Sequence, residues 1–159
     1  MSGLNHVGIT VPDLDAAVSW YVQVLELELL AGPMDCDTTS PGAGRRAQVF
    51  GQAWSSMRLA HLLTSNGAGI ELFEFISPAT EVPKERFAYW VGGPQHVAFS
   101  VDDLDKTLAH LAASGGRRRT DVFDVHDGQR VCYCEDPWGT IVELVSSSYA
   151  ELAEATTKP

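Results

Sequence analysis

Two short runs of strict alternation organise the chain. In HVGITV, beginning at His6, the apolar residues Val7, Ile9 and Val11 share one side of an extended strand, and His6, Gly8 and Thr10 share the other. HVAFSV, beginning at His96, repeats the arrangement, with Val97, Phe99 and Val101 opposing His96, Ala98 and Ser100. After each run the apolar period lengthens to that of a helix. In PDLDAAVSWYVQVL, Leu14, Ala17, Val18, Tyr21 and Leu25 form one stripe, with Asp13 placed to cap the first turn. In DDLDKTLAHLAASGG, Leu104, Leu108 and Leu111 do the same, and Gly115 is placed to end the helix.

Beyond each helix the pattern returns to strands. The first half predicts them near Arg45–Gly51, Trp54–Leu63 and Gly69–Ile76, the last two joined at the Asn-Gly turn of TSNGA. The second half predicts them near Thr120–Val125, Gln129–Glu135 and Thr140–Ser146, the last two joined by DPWG. AGPMDCDTTSPGAG reads as an extra loop. Each half is thus β-α-β-β-β, an α+β arrangement of two tandem modules. The first spans residues 1–76 and the second 94–147, with a connector at 77–93 and a tail at 148–159.

Each module also places one glutamate inside an apolar last strand: Glu71 in GIELFEF and Glu143 in TIVELVS. A carboxylate buried without a partner is costly, so both need one. Joined with His6 and His96, they offer nitrogen and oxygen donors to one divalent cation of the Zn, Ni, Co, Mn or Fe type. Glu74 falls on the opposite strand face, with Ile70 and Leu72. His61 shares the face of Met57 and Leu59 and reads as core or pocket wall. His110 lies off its helix stripe and reads as solvated; His126 reads as part of a hairpin turn. Trp54, Met57, Phe73 and Phe75 fit either core or the wall of an apolar pocket. Cys132 and Cys134 share a strand face without the further ligands a zinc site needs.

The 159 residues carry a formal net charge of −10, which argues against nucleic acid or an anionic membrane as partner. The basic run Arg117–Arg119 reads as a solvated loop complementing a helix C-terminus. No secretory signal or membrane-spanning run is evident, and three cysteines make no disulfide framework, so a cytoplasmic location is expected.

The duplicated module, its opening HVGITVPDLDAAVSWYVQVL and the later HVAFSVDDLD and EDPWGTIVEL resemble the vicinal oxygen chelate superfamily over residues 3–147, and most of all its glyoxalase I branch. The resemblance implies two mixed sheets that form a cup, and one divalent metal ion held by His6, Glu71, His96 and Glu143. It also implies isomerase, epimerase or lyase chemistry on a small-molecule substrate, with Glu143 as first choice of catalytic base and Glu71 as second, and a homodimer. Two other activities in the superfamily remain open: an Fe(II)-dependent extradiol-type dioxygenase, and a non-catalytic binder of an antibiotic or metabolite. Where the family usually has Phe-Tyr and Leu-Gly late in the first helix, this chain has Trp20-Tyr21 and Leu25-Glu26. The helix must therefore end without glycine.

Overall fold

The computed structural model describes residues 2–82, 90–126 and 128–157. The chain divides into two compact units, Met1–Pro83 and Lys84–Pro159. The part of the connector at 83–89 lies outside the described residues.

In the first unit, β1 (His6–Thr10) leads into α1 (Leu14–Leu25), then β2 (Glu28–Asp37), α2 (Ala43–Phe50), β3 (Ser56–Leu63) and β4 (Gly69–Ser77). The sheet order is β1-β4-β3-β2, with β1 parallel to β4 and the other pairs antiparallel. Alternation along β1 holds: Ile9 and Val11 are buried, and His6, Gly8 and Thr10 are exposed. α1 covers the Ile9 face with Leu14, Ala17, Val18, Tyr21 and Leu25, all buried as the stripe predicts.

The second unit follows the same plan. It runs β5 (Val97–Ser100), α3 (Leu104–Ala113), β6 (Arg117–Arg118), β7 (Phe123–Asp124), β8 (Arg130–Glu135), β9 (Ile141–Val145) and α4 (Tyr149–Ala155). The sheet order is β5-β9-β8-β6, with β7 also paired to β8. Leu104, Leu108 and Leu111 are buried on α3. Gly115 takes a left-handed φ of 84° one residue beyond the C-cap Ser114.

The repeated Asp-Leu-Asp now has a physical account. Asp13 and Asp103 cap their helices by accepting from the backbone N–H of Ala16 and Lys106, each at 3.0 Å. The second aspartate of each copy is held from the third strand of its own sheet. Arg58 of β3 reaches Asp15 at 2.9 Å, and Arg130 of β8 reaches Asp105 at 2.8 Å. Glu74 joins the first of these networks, accepting from the Leu14 N–H at 3.1 Å and pairing with Arg58 at 3.2 Å. It therefore ties α1 to the sheet, on the face opposite Glu71.

Three elements differ from the sequence expectation. The strand expected near Arg45–Gly51 is helix α2, whose Ala43, Ala47 and Phe50 recur at helical spacing and pack on the sheet. The segment expected to be loop is in large part β2. Its pairing with β3 slips between Leu29 and Ala31 and again between Ala31 and Met34, which erases the period-two signal. Gly32 sits in this irregular stretch at φ 94°, and a Cβ there would stand 2.6 Å from the Leu59 carbonyl oxygen. Of the strand expected over Thr120–Val125 only Phe123–Asp124 forms (β7), and β6 falls instead on Arg117–Arg118, in the run expected to be loop. Finally, α1 ends on Glu26, the one non-glycine residue with positive φ (55°) among the described residues.

Candidate functional site

The strand register decides which side chains share the face that α1 leaves open. In the first unit, Gly8 is paired with Glu71 and His61 is paired with Glu71 from the other side. The face therefore carries His6, Glu71 and His61 at one end. Phe73, Leu59 and Met34 lie next along it, followed by Phe75, Met57 and Cys36. His6 Nε2 stands 3.3 Å from one oxygen of Glu71, and His61 Nδ1 stands 3.4 Å from the other. His61, read from sequence as core or pocket wall, is thus a direct neighbour of the glutamate. Its two-residue spacing from Leu59 places it on this face; only the antiparallel pairing brings it opposite Glu71.

Asn5 fixes the His6 ring. Its side-chain oxygen lies 2.6 Å from His6 Nδ1. An amide oxygen only accepts, so this contact is a hydrogen bond when Nδ1 carries a proton, and it leaves Nε2 as the ring nitrogen that faces Glu71. Close backbone approach makes this possible: a Cβ on Gly69 would stand 3.0 Å from the His6 Cβ.

In the second unit, Glu143 is flanked by Ala98 on β5 and Tyr133 on β8. His96 Nε2 stands 3.0 Å from Glu143 Oε2, and the His96 ring meets Tyr133 edge-on at 5.3 Å. Glu143 is 7% exposed, so this pair is the more enclosed of the two. Tyr133 occupies the place that His61 holds in the first unit, each directly opposite its glutamate.

Both pairs have the spacing of neighbouring metal ligands. Two donors each about 2.1 Å from one ion stand about 3.0 Å apart at a right angle and about 3.4 Å apart at the tetrahedral angle. The observed 3.3 and 3.0 Å fall in that interval. Each unit thus supplies a two-donor pair. Among the described residues, no set of three or more His, Cys, Asp or Glu side chains is arranged as a complete metal cage.

Other chemistry-bearing residues are accounted for structurally. Arg117 and Arg119, expected in a solvated loop, instead clamp the buried Glu135. Burial alone would raise the Glu135 carboxyl; the two guanidinium hydrogen bonds outweigh it and hold the group below the ordinary carboxylate range. Cys132 and Cys134 are fully buried with sulfurs 3.8 Å apart. Burial and the neighbouring Cys132 push the Cys134 thiol up to about 12, so it stays protonated at neutral pH. His110 and His126 are exposed. No helix among the described residues is long and apolar enough to cross a membrane.

Comparison with known proteins agrees with this architecture. A curated relative, a 2-epi-5-epi-valiolone epimerase from an Actinomyces species, is 32% identical over 148 residues, covering 90% of this chain and 78% of that protein. Among solved structures, a glyoxalase family protein from Bacillus cereus superposes with a TM-score of 0.75 at 24% identity, over 89% of this chain and 91% of that one. The fosfomycin resistance protein FosX from Listeria monocytogenes, solved with Mn(II) and sulfate, superposes with a TM-score of 0.63 at 19% identity, over 96% and 98%. The family model matches residues 3–144. With two units that each run from a strand through a helix into a mixed sheet, a His–Glu pair in each, and that match along nearly its whole length, the chain belongs to the Glyoxalase/Bleomycin resistance protein/Dioxygenase superfamily.

Proposed function

We propose that this protein is a divalent-metal-dependent isomerase of the epimerase kind, acting on a small substrate that carries a carbonyl next to a second oxygen. His6, Glu71, His96 and Glu143 would hold one ion of the Zn, Ni, Co, Mn or Fe type, all suited to nitrogen and oxygen donors. The observation that carries this reading is the same His–Glu pair, at ligand spacing, in both units. The epimerase relative supports the reaction class, and the Mn(II) in the FosX structure supports a metal in a protein of this fold.

When bound, the ion would supply Lewis acidity toward the substrate carbonyl. The chain's own residues handle the proton. Glu143, enclosed beside His96, takes it from the carbon next to the carbonyl. Inversion at that carbon needs a proton delivered to the other side; Glu71, having taken one from solvent, would deliver it, and Glu143 would then release its own to solvent. Ala98, paired in register with Glu143, keeps the strand surface low beside His96, whereas the matching place at Gly8 is taken by the Phe73 ring. A homodimer in the cytoplasm belongs to the same reading, since edge strands β1 and β2 carry unpaired backbone groups that a second copy can cover.

The experiment is proton exchange. Metal-loaded protein in D2O with 2-epi-5-epi-valiolone is followed by NMR at the carbons flanking the carbonyl. The expected result is deuterium incorporation that depends on metal and is lost in Glu143→Gln. Turnover without deuterium uptake, or oxygen consumption with a catechol under Fe(II), would overturn it.

A further inference from the structure

Glu71 has an imidazole beside each of its oxygens. His6 Nε2 stands 3.3 Å from Oε2, and His61 Nδ1 stands 3.4 Å from Oε1. The first contact belongs to the proposed metal pair; the second has no place in that chemistry. Alternation along β3 aligns His61 with Met57 and Leu59, yet those two are 2% and 5% exposed and the His61 side chain is 39% exposed. The ring is therefore not packed as core. It stands at the open end of the face, directly across the β3–β4 pairing from the glutamate.

Two observations bear on what such a ring does there. The first is convergence. Among the described residues no three His, Cys, Asp or Glu donors are arranged to hold one ion, so His61 does not join His6 and Glu71 as a further ligand. Its nitrogen meets the carboxylate at the other oxygen instead. The second is the contrast with the second unit. The Glu143 side chain is 9% exposed and held by its enclosure, whereas that of Glu71 is 26% exposed. A partly open carboxylate keeps its torsional freedom unless its second oxygen is fixed. On the β1 side of Glu71, the space over Gly8 is filled by the Phe73 ring, which offers no donor. The β3 side, where His61 stands, can supply one. A carboxylate only accepts, so a bond at Oε1 needs the proton on His61 Nδ1. Carboxylates that bind metals are themselves commonly oriented by outer partners of this kind.

We propose that His61, in its Nδ1–H tautomer, is a positioning residue for Glu71: it donates to Oε1 and so keeps Oε2 turned toward His6 and the ion. This rests on the metal-dependent reading above and adds one more residue to the site, one that touches the carboxylate and not the ion. In the second unit, enclosure holds Glu143, and Tyr133 stands opposite it in place of an imidazole.

The test has a metal-free and a metal-loaded arm. In metal-free protein, long-range 1H–15N NMR of the histidine rings reads which nitrogen carries the proton, in mildly alkaline solution where an ordinary imidazole is neutral. The expected result is a His61 ring protonated on Nδ1 in wild type, which reverts to the water-preferred Nε2–H form in Glu71→Leu. In the metal arm, competition for Zn(II) with a chelator compares wild type, His61→Asn and His61→Leu. Asparagine presents an amide N–H where Nδ1 stood; leucine fills the space without a donor. His61→Leu should bind about tenfold more weakly than wild type, and His61→Asn within about threefold of it. A packing role would rank the two the other way, since leucine covers the strand better than asparagine. An Nε2–H ring in wild type, or a tautomer unmoved by Glu71→Leu, overturns this inference and leaves the metal reading standing. So does wild-type affinity in His61→Leu, or an affinity in His61→Asn no better than in His61→Leu. Failure of wild type to bind either Zn(II) or Mn(II) overturns the metal reading and the positioning role with it.

Discussion

Gly69→Ala is the most informative small change in the first unit, because propensity and site geometry predict opposite results. Gly69 opens β4 without a positive φ, so alanine fits its backbone and, by propensity alone, adds at most about 0.5 kcal/mol of stability. The new Cβ, however, would stand 3.0 Å from the Cβ of His6 and 3.5 Å from the Asn5 carbonyl oxygen. Carbon atoms settle at about 3.5–4.0 Å, so β1 must give by roughly half an ångström at His6. Metal–ligand distances tolerate about 0.2 Å. The shift carries His6 Nε2 away from its 3.3 Å relation to Glu71 and disturbs the Asn5 hydrogen bond that orients the ring. Losing such orientation costs about 10–100-fold in metal affinity, or about 1.4–2.7 kcal/mol. The assay is a competition titration of Zn(II) or Mn(II) against a chromophoric chelator, with thermal unfolding of the metal-free protein run in parallel. The expected variant unfolds within about 1 kcal/mol of wild type without metal, the propensity gain offsetting the close contact, and binds metal at least tenfold more weakly. Wild-type affinity in Gly69→Ala would show that the His6 position does not set metal binding.

Four further outcomes follow. Asn5→Leu should weaken metal binding by about tenfold, whereas Asn5→Asp, which keeps an acceptor at Nδ1, should retain most of it; chelator competition separates them. Glu26→Gly should raise stability by about 1 kcal/mol and the unfolding midpoint by about 2–4 °C, since glycine takes the left-handed conformation without the Cβ penalty; a lowered midpoint refutes this. Arg119→Ala should destabilise the second unit by about 1–3 kcal/mol by leaving buried Glu135 short of a partner, as read by urea unfolding. Glu135 is held below its unfolded value, so its contribution is complete above the ordinary carboxylate range and is lost as pH falls through the folded value. Wild type should therefore lose this part of its stability only in acid, and Arg119→Ala should begin to unfold at a higher pH; equal acid midpoints would count against the clamp.

Much of the architecture was legible because the chain states it twice. Alternation in HVGITV and HVAFSV identified the strands and their open faces, and the helix stripes and aspartate caps followed from spacing. Matching the two last strands then singled out Glu71 and Glu143 and paired them with His6 and His96. What stayed hidden depends on contacts across strands. Arg58 and Arg130 have no local pattern that ties them to Asp15 and Asp105. His61 became a neighbour of Glu71 only through a hairpin register that one strand alone does not express. β2 was masked by its slips around Gly32, and α2 by its short length, although Ala43, Ala47 and Phe50 carried a helical period. α4 did have a readable signal: Ser148 and Glu151 form a capping box, the Ser-x-x-Glu pattern that opens a helix.

The positions opposite the two glutamates, His61 and Tyr133, carry a wider consequence. A symmetric assembly of single modules would place every substitution in both half-sites at once, so its two sides would stay chemically alike. Joining the copies in one chain removes that constraint. His61 faces Glu71 in one unit and Tyr133 faces Glu143 in the other, and each can be altered without touching its counterpart. Under the proposed epimerase chemistry, unlike residues opposite the two glutamates would let each direction of proton delivery be tuned by its own mutations.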